Sequence, residues 1–284
     1  MDHQQLLDAI VSFAEHSDSV AALILIGSRA RKQRHADEYS DIDVLMVVDE
    51  PDRFLSSDEW LSGIGTPHVS FIETTFDGDQ ERRILFDNAS DVDFVFISRQ
   101  HAKQVVESNV GMDILSRGFR VLVNKTDLRI PPLTDPCDQG YPVPGEDEYK
   151  NTVHDFWYHT VWTTKKLLRK ELWAAKFCVD NYMKWKLLWM IEQYEHAIHG
   201  QSYHTWYGGR FVDSWAEPDV AERLRKTFAH YDAKDMAAAL WETMNLFRDL
   251  SKEVSNVYGL EYPAHADEYA TGWVRAKISA ITKE

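Results

Sequence analysis

Apolar positions Leu6, Leu7, Ile10, Val11 and Ala14 recur at helical spacing and predict an amphipathic helix near the start of the chain. Residues 21–26 (AALILI) form a short apolar run that stops at Gly27-Ser28. Residues 42–48 (IDVLMVV) form a second, closed by Asp-Glu-Pro. Runs of this length between turn residues read as buried strands. Residues 68–74, 83–86 and 92–97, rich in Val, Ile and Phe, predict three more strands, and helices are expected near 58–61 and 100–107. Strands and helices thus interleave over the first part of the chain, the pattern of an α/β domain.

The texture changes between 124 and 147. Pro131, Pro132, Pro136, Pro142 and Pro144, with Gly140 and Gly145, exclude regular structure through most of this stretch. A boundary here gives domains over 1–135 and 146–284. In the second, Phe156, Trp157, Val161 and Trp162 recur at helical spacing, then Trp185, Leu188, Trp189 and Ile191. With two further stretches, 233–258 and 267–281, they predict four or five helices in an all-α bundle whose core takes up most of the tryptophans.

Charge narrows the partners. The net charge is −15, from 46 acidic and 31 basic residues. Nucleic-acid affinity comes from neutralising phosphates with a basic patch, and the dense basic stretches are only 29–34 and 165–170, so no nucleic-acid partner is expected. An acidic cleft instead concentrates cationic ligands. No apolar run approaches the ~20 residues of a bilayer span, and MDHQQLLDAI lacks the basic region and apolar run of a secretory signal. A cytoplasmic protein without membrane contact follows. Cys137 and Cys178 form no C-x-x-C arrangement and imply neither a zinc site nor a disulfide. His154, His159, His196 and His199 have no partners in the sequence that would make a metal site.

The informative segment is Leu25-Ile26-Gly27-Ser28-Arg29, followed by Tyr39-Ser40-Asp41-Ile42-Asp43-Val44. A buried strand ending on Gly-Ser makes a turn that can aim amide groups and the Ser28 hydroxyl at an anion. Asp41 and Asp43 share one face of the next strand, about 7 Å apart along the backbone, while Ile42 and Val44 face the core. Two such carboxylates repel unless a cation lies between them, and Mg²⁺ takes oxygen ligands while leaving positions for phosphates and water. In Ser90-Asp91-Val92-Asp93-Phe94, Asp93 is the better framed acid and supplies the third ligand that a two-metal transfer site needs.

This pattern of apolar residue, Gly-Ser, spaced Asp-Ile-Asp-Val and later Val92-Asp93-Phe94 resembles the polymerase-β-type nucleotidyltransferase superfamily. Within it the chain is similar to the aminoglycoside 6-adenylyltransferases, the streptomycin-modifying group. Gly27-Ser28-Arg29, Ile84-Leu85-Phe86-Asp87 leading into Val92-Asp93-Phe94, and Asp155-Phe156-Trp157 carry that likeness, which is diffuse after about Ala174. The resemblance implies an α/β (α+β) nucleotidyltransferase domain with a mixed sheet, then a helical substrate-binding domain, with the antibiotic bound between the two. It implies adenylyl transfer from ATP on Mg²⁺ to a cationic aminoglycoside. Asp41, Asp43 and Asp93 would hold metal, Gly27 and Ser28 the phosphates, and Asp93 would take the hydroxyl proton.

Other assignments stay open in the sequence. Arg29 either touches phosphate or pairs with Asp37 or Glu38. Glu171 either binds a drug amine, or acts as base, or pairs with its basic neighbours. Lys184 either reaches phosphate or pairs with Asp180. Trp206-Tyr207-Gly208-Gly209-Arg210 is a glycine-aromatic loop whose Arg210 is a further candidate for nucleotide contact. A different small acceptor such as a lincosamide, a protein hydroxyl, or a non-catalytic relative are the competing functions, and the oligomeric state is open with a monomer favoured.

Overall fold

Asp2 starts the first helix through a reciprocal capping box. Its carboxylate accepts the Gln5 amide N–H at 2.8 Å, while the Gln5 side chain accepts the Asp2 N–H at 3.0 Å. The computed structural model describes residues 2–31, 36–75, 78–108, 115, 118–127, 129–130 and 140–283. The chain divides into two compact units, Met1–Asp138 and Gln139–Glu284.

In the first unit, α1 (His3–His16) leads to β1 (Val20–Ile26), β2 (Ile42–Val48), α2 (Pro51–Ser56), β3 (Val69–Thr74), β4 (Gln80–Leu85), β5 (Asp91–Ser98), α3 (Arg99–Ser108) and β6 (Arg120–Asn124). The six strands form one mixed sheet in the order β3-β4-β5-β2-β1-β6. Only β2 and β5 run parallel, with Asp43 opposite Asp93. The other four pairings are antiparallel.

Alternation along the strands sorts the two faces. Leu23, Leu25, Ile42, Val44, Met46, Val92, Phe94 and Phe96 pack with Leu6, Leu7 and Ile10 of α1 in the main core of this unit. The opposite face carries Ala22, Val47, Val95 and Ile97 against Ala102 of α3. Asp43 and Asp93 belong to this second face, where β2 and β5 begin.

Three features depart from the sequence reading. The helix expected at 58–61 is a short 3-10 segment, Glu59–Gly63, preceded by α2, whose Pro51 sits at the first helical position where its missing N–H costs nothing. β6 was not foreseen; its mostly exposed residues form an edge strand of the sheet. Asp41 lies immediately before β2 rather than within it.

The second unit is helical: α4 (Glu146–Leu168), α5 (Leu172–Phe177), a π-turn at Cys178–Tyr182, α6 (Met183–His199), α7 (Val212–Trp215), α8 (Pro218–Arg225), α9 (Ala233–Tyr258) and α10 (Ala264–Lys283). Glu146, Asp147 and Glu148 in the first turn of α4 complement the positive end of its dipole. Its core stacks Phe156 on Phe247 with ring centroids 3.6 Å apart, beside Trp157, Met183, Leu187 and Leu240. Arg248 of α9 meets Asp267 of α10 through Nε and Nη2 at 2.8–3.0 Å, and Tyr262 and Thr271 donate to the same carboxylate. Cys178 is a buried free thiol, and Cys137 lies outside the described residues. No described helix is long and apolar enough to cross a membrane.

Candidate active site

β1 is buried along all seven residues and stops at Gly27, where φ turns to +66° and the chain enters a 3-10 turn, Gly27–Arg29. That sign of φ suits glycine. Space demands glycine as well, because a Cβ here would fall on the carboxylate of Asp43, far inside van der Waals contact. The turn therefore lies directly against Asp43, which pairs across β1 with Ile26 and across β5 with Asp93.

The ligand oxygens of Asp41, Asp43 and Asp93 all lie within 4.8 Å of one another. Hydrogen-bonded register brings Asp43 and Asp93 side by side, and Asp41 joins from the residue before the strand. Ser28 is 9% exposed, and its buried hydroxyl makes no hydrogen bond among the described residues. An orphaned hydroxyl beside a glycine turn is an open donor for an anionic ligand. Burial pushes the Asp93 carboxyl up to about 6; Arg83 opposes the shift, and Glu81, Asp41 and Asp91 add to it. Crowded carboxylates of this kind fit a divalent cation.

Arg83 was missed in the sequence. It faces Asp93 across the antiparallel β4–β5 pairing, with Nε 3.4 Å from Asp93, 2.7 Å from Glu81 and 3.2 Å from Glu73. Its place follows from the register between two strands, and no local motif announces it.

The other sequence candidates take different positions. Arg29 holds backbone, including the Asp37 carbonyl, which Nη2 meets at 3.4 Å. Nε donates to the Asp41 carbonyl at 2.9 Å and Nη2 to the Ser40 carbonyl at 2.6 Å, fixing the chain as it enters β2. Residues 32–34 of the nearby basic stretch lie outside the described residues.

Glu171 is paired with its basic neighbours, Lys166 and Arg169, each at 2.5 Å. The hydrogen bond from Lys166 is the main cause holding its carboxyl below the usual range. Lys184 does not pair with Asp180, whose partner is Lys176. Its ammonium donates to the Val179 carbonyl at 2.8 Å and to Thr243 Oγ1 at 3.1 Å, inside the helical unit. It also lines a cavity of ≈ 340 Å³ with Trp185, Leu188, Gly208 and Gly209 of the glycine-aromatic loop. In that loop the Arg210 carbonyl accepts from the Trp215 indole.

A carboxylate triad beside a glycine turn and a free buried hydroxyl defines a site suited to a divalent cation and a phosphate chain, the furniture of a metal-assisted group-transfer enzyme. The chain belongs to the streptomycin adenylyltransferase family, whose pattern matches residues 1–276. It is 23% identical over 282 residues to the aminoglycoside 6-adenylyltransferase of Campylobacter jejuni, covering 96% of this chain and 95% of that protein. The aminoglycoside 6-adenylyltransferase of Bacillus subtilis is also 23% identical, over 287 residues and 98% of each chain. A crystal structure of an aminoglycoside 6-adenyltransferase from Bacillus subtilis aligns over 97% of this chain and 98% of that one, with 20% identity and a TM-score of 0.43.

Proposed function

We propose that this protein transfers AMP from ATP to a hydroxyl of a streptomycin-like aminoglycoside, using Mg²⁺. The observation that carries this reading is the convergence of Asp41, Asp43 and Asp93 beside Gly27-Ser28, in a member of the streptomycin adenylyltransferase family. Asp41, Asp43 and Asp93 would hold the metal, which when bound neutralises triphosphate charge and polarises the reacting phosphorus. Ser28 donates its hydroxyl to a phosphate oxygen. Gly27 keeps the turn close enough to Asp43 for both to serve one ligand. Arg29 acts through the backbone, holding Asp41 at the mouth of β2. Asp93 accepts the proton of the acceptor hydroxyl as its oxygen bonds to the α-phosphorus; the bond to the β-phosphate breaks and pyrophosphate leaves. Positioning and charge carry most of such a transfer.

Lys184 and Glu171 keep lesser parts in this reading. Lys184 would offer a phosphate the N–H that its two hydrogen bonds leave over, and Glu171 would meet a drug amine beside Lys166 and Arg169. The net charge of −15 favours a polycationic acceptor. The setting that fits is a cytoplasmic, monomeric resistance enzyme.

Pyrophosphate release from ATP and Mg²⁺ against a panel of aminoglycosides tests the proposal. Streptomycin is expected to turn over, and Asp43→Asn to lower kcat roughly 10²–10³-fold, the scale for losing one charge-stabilising group. A chelator should abolish release, and added Mg²⁺ restore it. Turnover confined to uncharged acceptors would overturn the drug assignment, and nucleotide binding indifferent to metal would overturn the site.

A further inference from the structure

A second group of metal-ligand residue types lies within the helical unit, apart from the carboxylate triad in sequence and in compact unit. Glu195 and His199 are one turn apart on α6, and Glu217 immediately precedes α8. Their ligand atoms lie within 4.8 Å of one another. His199 Nε2 is 2.9 Å from Glu217 Oε1 and 3.4 Å from Glu195 Oε2.

Glu195 is the informative member. Its side chain is 0% exposed, and Oε1 accepts the Glu217 amide N–H at 2.8 Å, which fixes the carboxylate. Oε2 points toward His199 and makes no hydrogen bond among the described residues. A buried carboxylate oxygen left without a hydrogen bond is costly and calls for a partner. Glu217 holds the N-cap position of α8, yet its side chain makes no capping hydrogen bond; its carboxylate turns instead to His199, so that an ion would take the place of the His199–Glu217 hydrogen bond. The Tyr203 ring stacks on His199 with centroids 4.4 Å apart, setting the plane of the imidazole. His199 and Glu217 are 34% and 40% exposed, which gives a dissolved ion a way in.

We propose that Glu195, His199 and Glu217 form a binding site for a divalent cation of the zinc class. One imidazole nitrogen and two carboxylates suit Zn²⁺ or Co²⁺ better than Mg²⁺, which prefers oxygen donors and octahedral geometry. Three protein ligands leave a fourth position for water. The two negative charges balance the ion. Bound there, it joins the C-terminal turn of α6 to the start of α8 and stabilises the helical unit by mass action.

The test uses the full chain carrying Asp43→Asn, so that the triad contributes as little as possible. Calorimetric titration with Zn²⁺ is expected to show one ion per chain together with a rise in Tm. Co²⁺ is expected to give the visible absorption of a four-coordinate site. His199→Ala and Glu217→Gln, each added to that background, should weaken Zn²⁺ about tenfold or more and remove the Co²⁺ band. Both positions are partly exposed, so these variants should fold, which circular dichroism checks. Glu195→Gln, at a buried position, serves only as a supplement. Unchanged Zn²⁺ affinity in His199→Ala, or no Zn²⁺ binding in the parent, overturns the site.

Discussion

At Gly27 a backbone angle and a side-chain contact make the same demand. The residue has φ +66°, and a methyl group would collide with Asp43. Gly27→Ala should cost about 1–2 kcal/mol for the left-handed backbone alone, with the collision adding to it. The larger effect should fall on function, since Asp43 must move. Mg²⁺-dependent nucleotide binding is expected to weaken by more than the stability loss accounts for, a comparison open to thermal shift with and without ligand. Lys184 supplies a pH test. Burial lowers its pKa to about 7, with Lys176 adding to the shift and Asp180 and Cys178 opposing it. Its unfolded value is ~10.4, so between about 7 and ~10.4 the unfolded chain binds more protons. This group's contribution to stability therefore rises with pH across that window and is flat below it. Lys184→Met should remove that rise, measured as urea midpoints at neutral pH and at ~9.5. Sequence legibility at this scale followed periodicity: Asp43 and Asp93 could be read because a period of two forces them off the core. Arg83 could not, because its neighbour is set by cross-strand register. The Arg29 bonds to the Asp37, Ser40 and Asp41 carbonyls could not be read, because backbone acceptors have no letter in a sequence.

Among the elements, the joint between α9 and α10 depends on one buried ion pair. Asp267 is 5% exposed, and its four donors come from Arg248, Tyr262 and Thr271. Burial raises its pKa, but the hydrogen bonds from Arg248, Thr271 and Tyr262 and the charge of Arg248 outweigh it and hold the carboxyl low. Arg248→Ala leaves that carboxylate buried without its cation and should cost about 3–5 kcal/mol, read from urea unfolding. With the folded pKa depressed, the wild-type pair contributes fully above the unfolded value of ~3.9 and is lost as pH falls through the lower folded value. The Arg248→Ala penalty should therefore shrink in acid. Long apolar stripes made the large helices legible, and short runs of mostly apolar residues did the same for β1, β2 and β5. α2 and β6 escaped because a short element with exposed residues has too few buried positions to show a period.

On the scale of the whole chain, nine of the ten tryptophans fall after residue 138, leaving Trp60 alone in the first unit. Tryptophan emission therefore reports chiefly on the helical unit. Leu25→Ala, in the core beneath the sheet, should cost about 2–5 kcal/mol and lower the denaturation midpoint seen by Trp60 alone, after the other tryptophans are replaced by Phe. The midpoint from wild-type emission should move less. The change in composition near the prolines puts a boundary between 135 and 146, and the compact units divide after Asp138. The prolines at 131, 132 and 136 lie outside the described residues.

The pairing of β2 with β5 has a consequence for laboratory evolution. Because main-chain bonds in a parallel ladder hold Asp43 beside Asp93, the address of the proposed metal site is written in backbone, while β3 lies mostly exposed at the far edge. Randomising the outward residues of β3 other than Glu73, the partner of Arg83, should leave nucleotide chemistry intact, whereas a one-residue deletion inside β2 should abolish it by turning Asp43 toward the core.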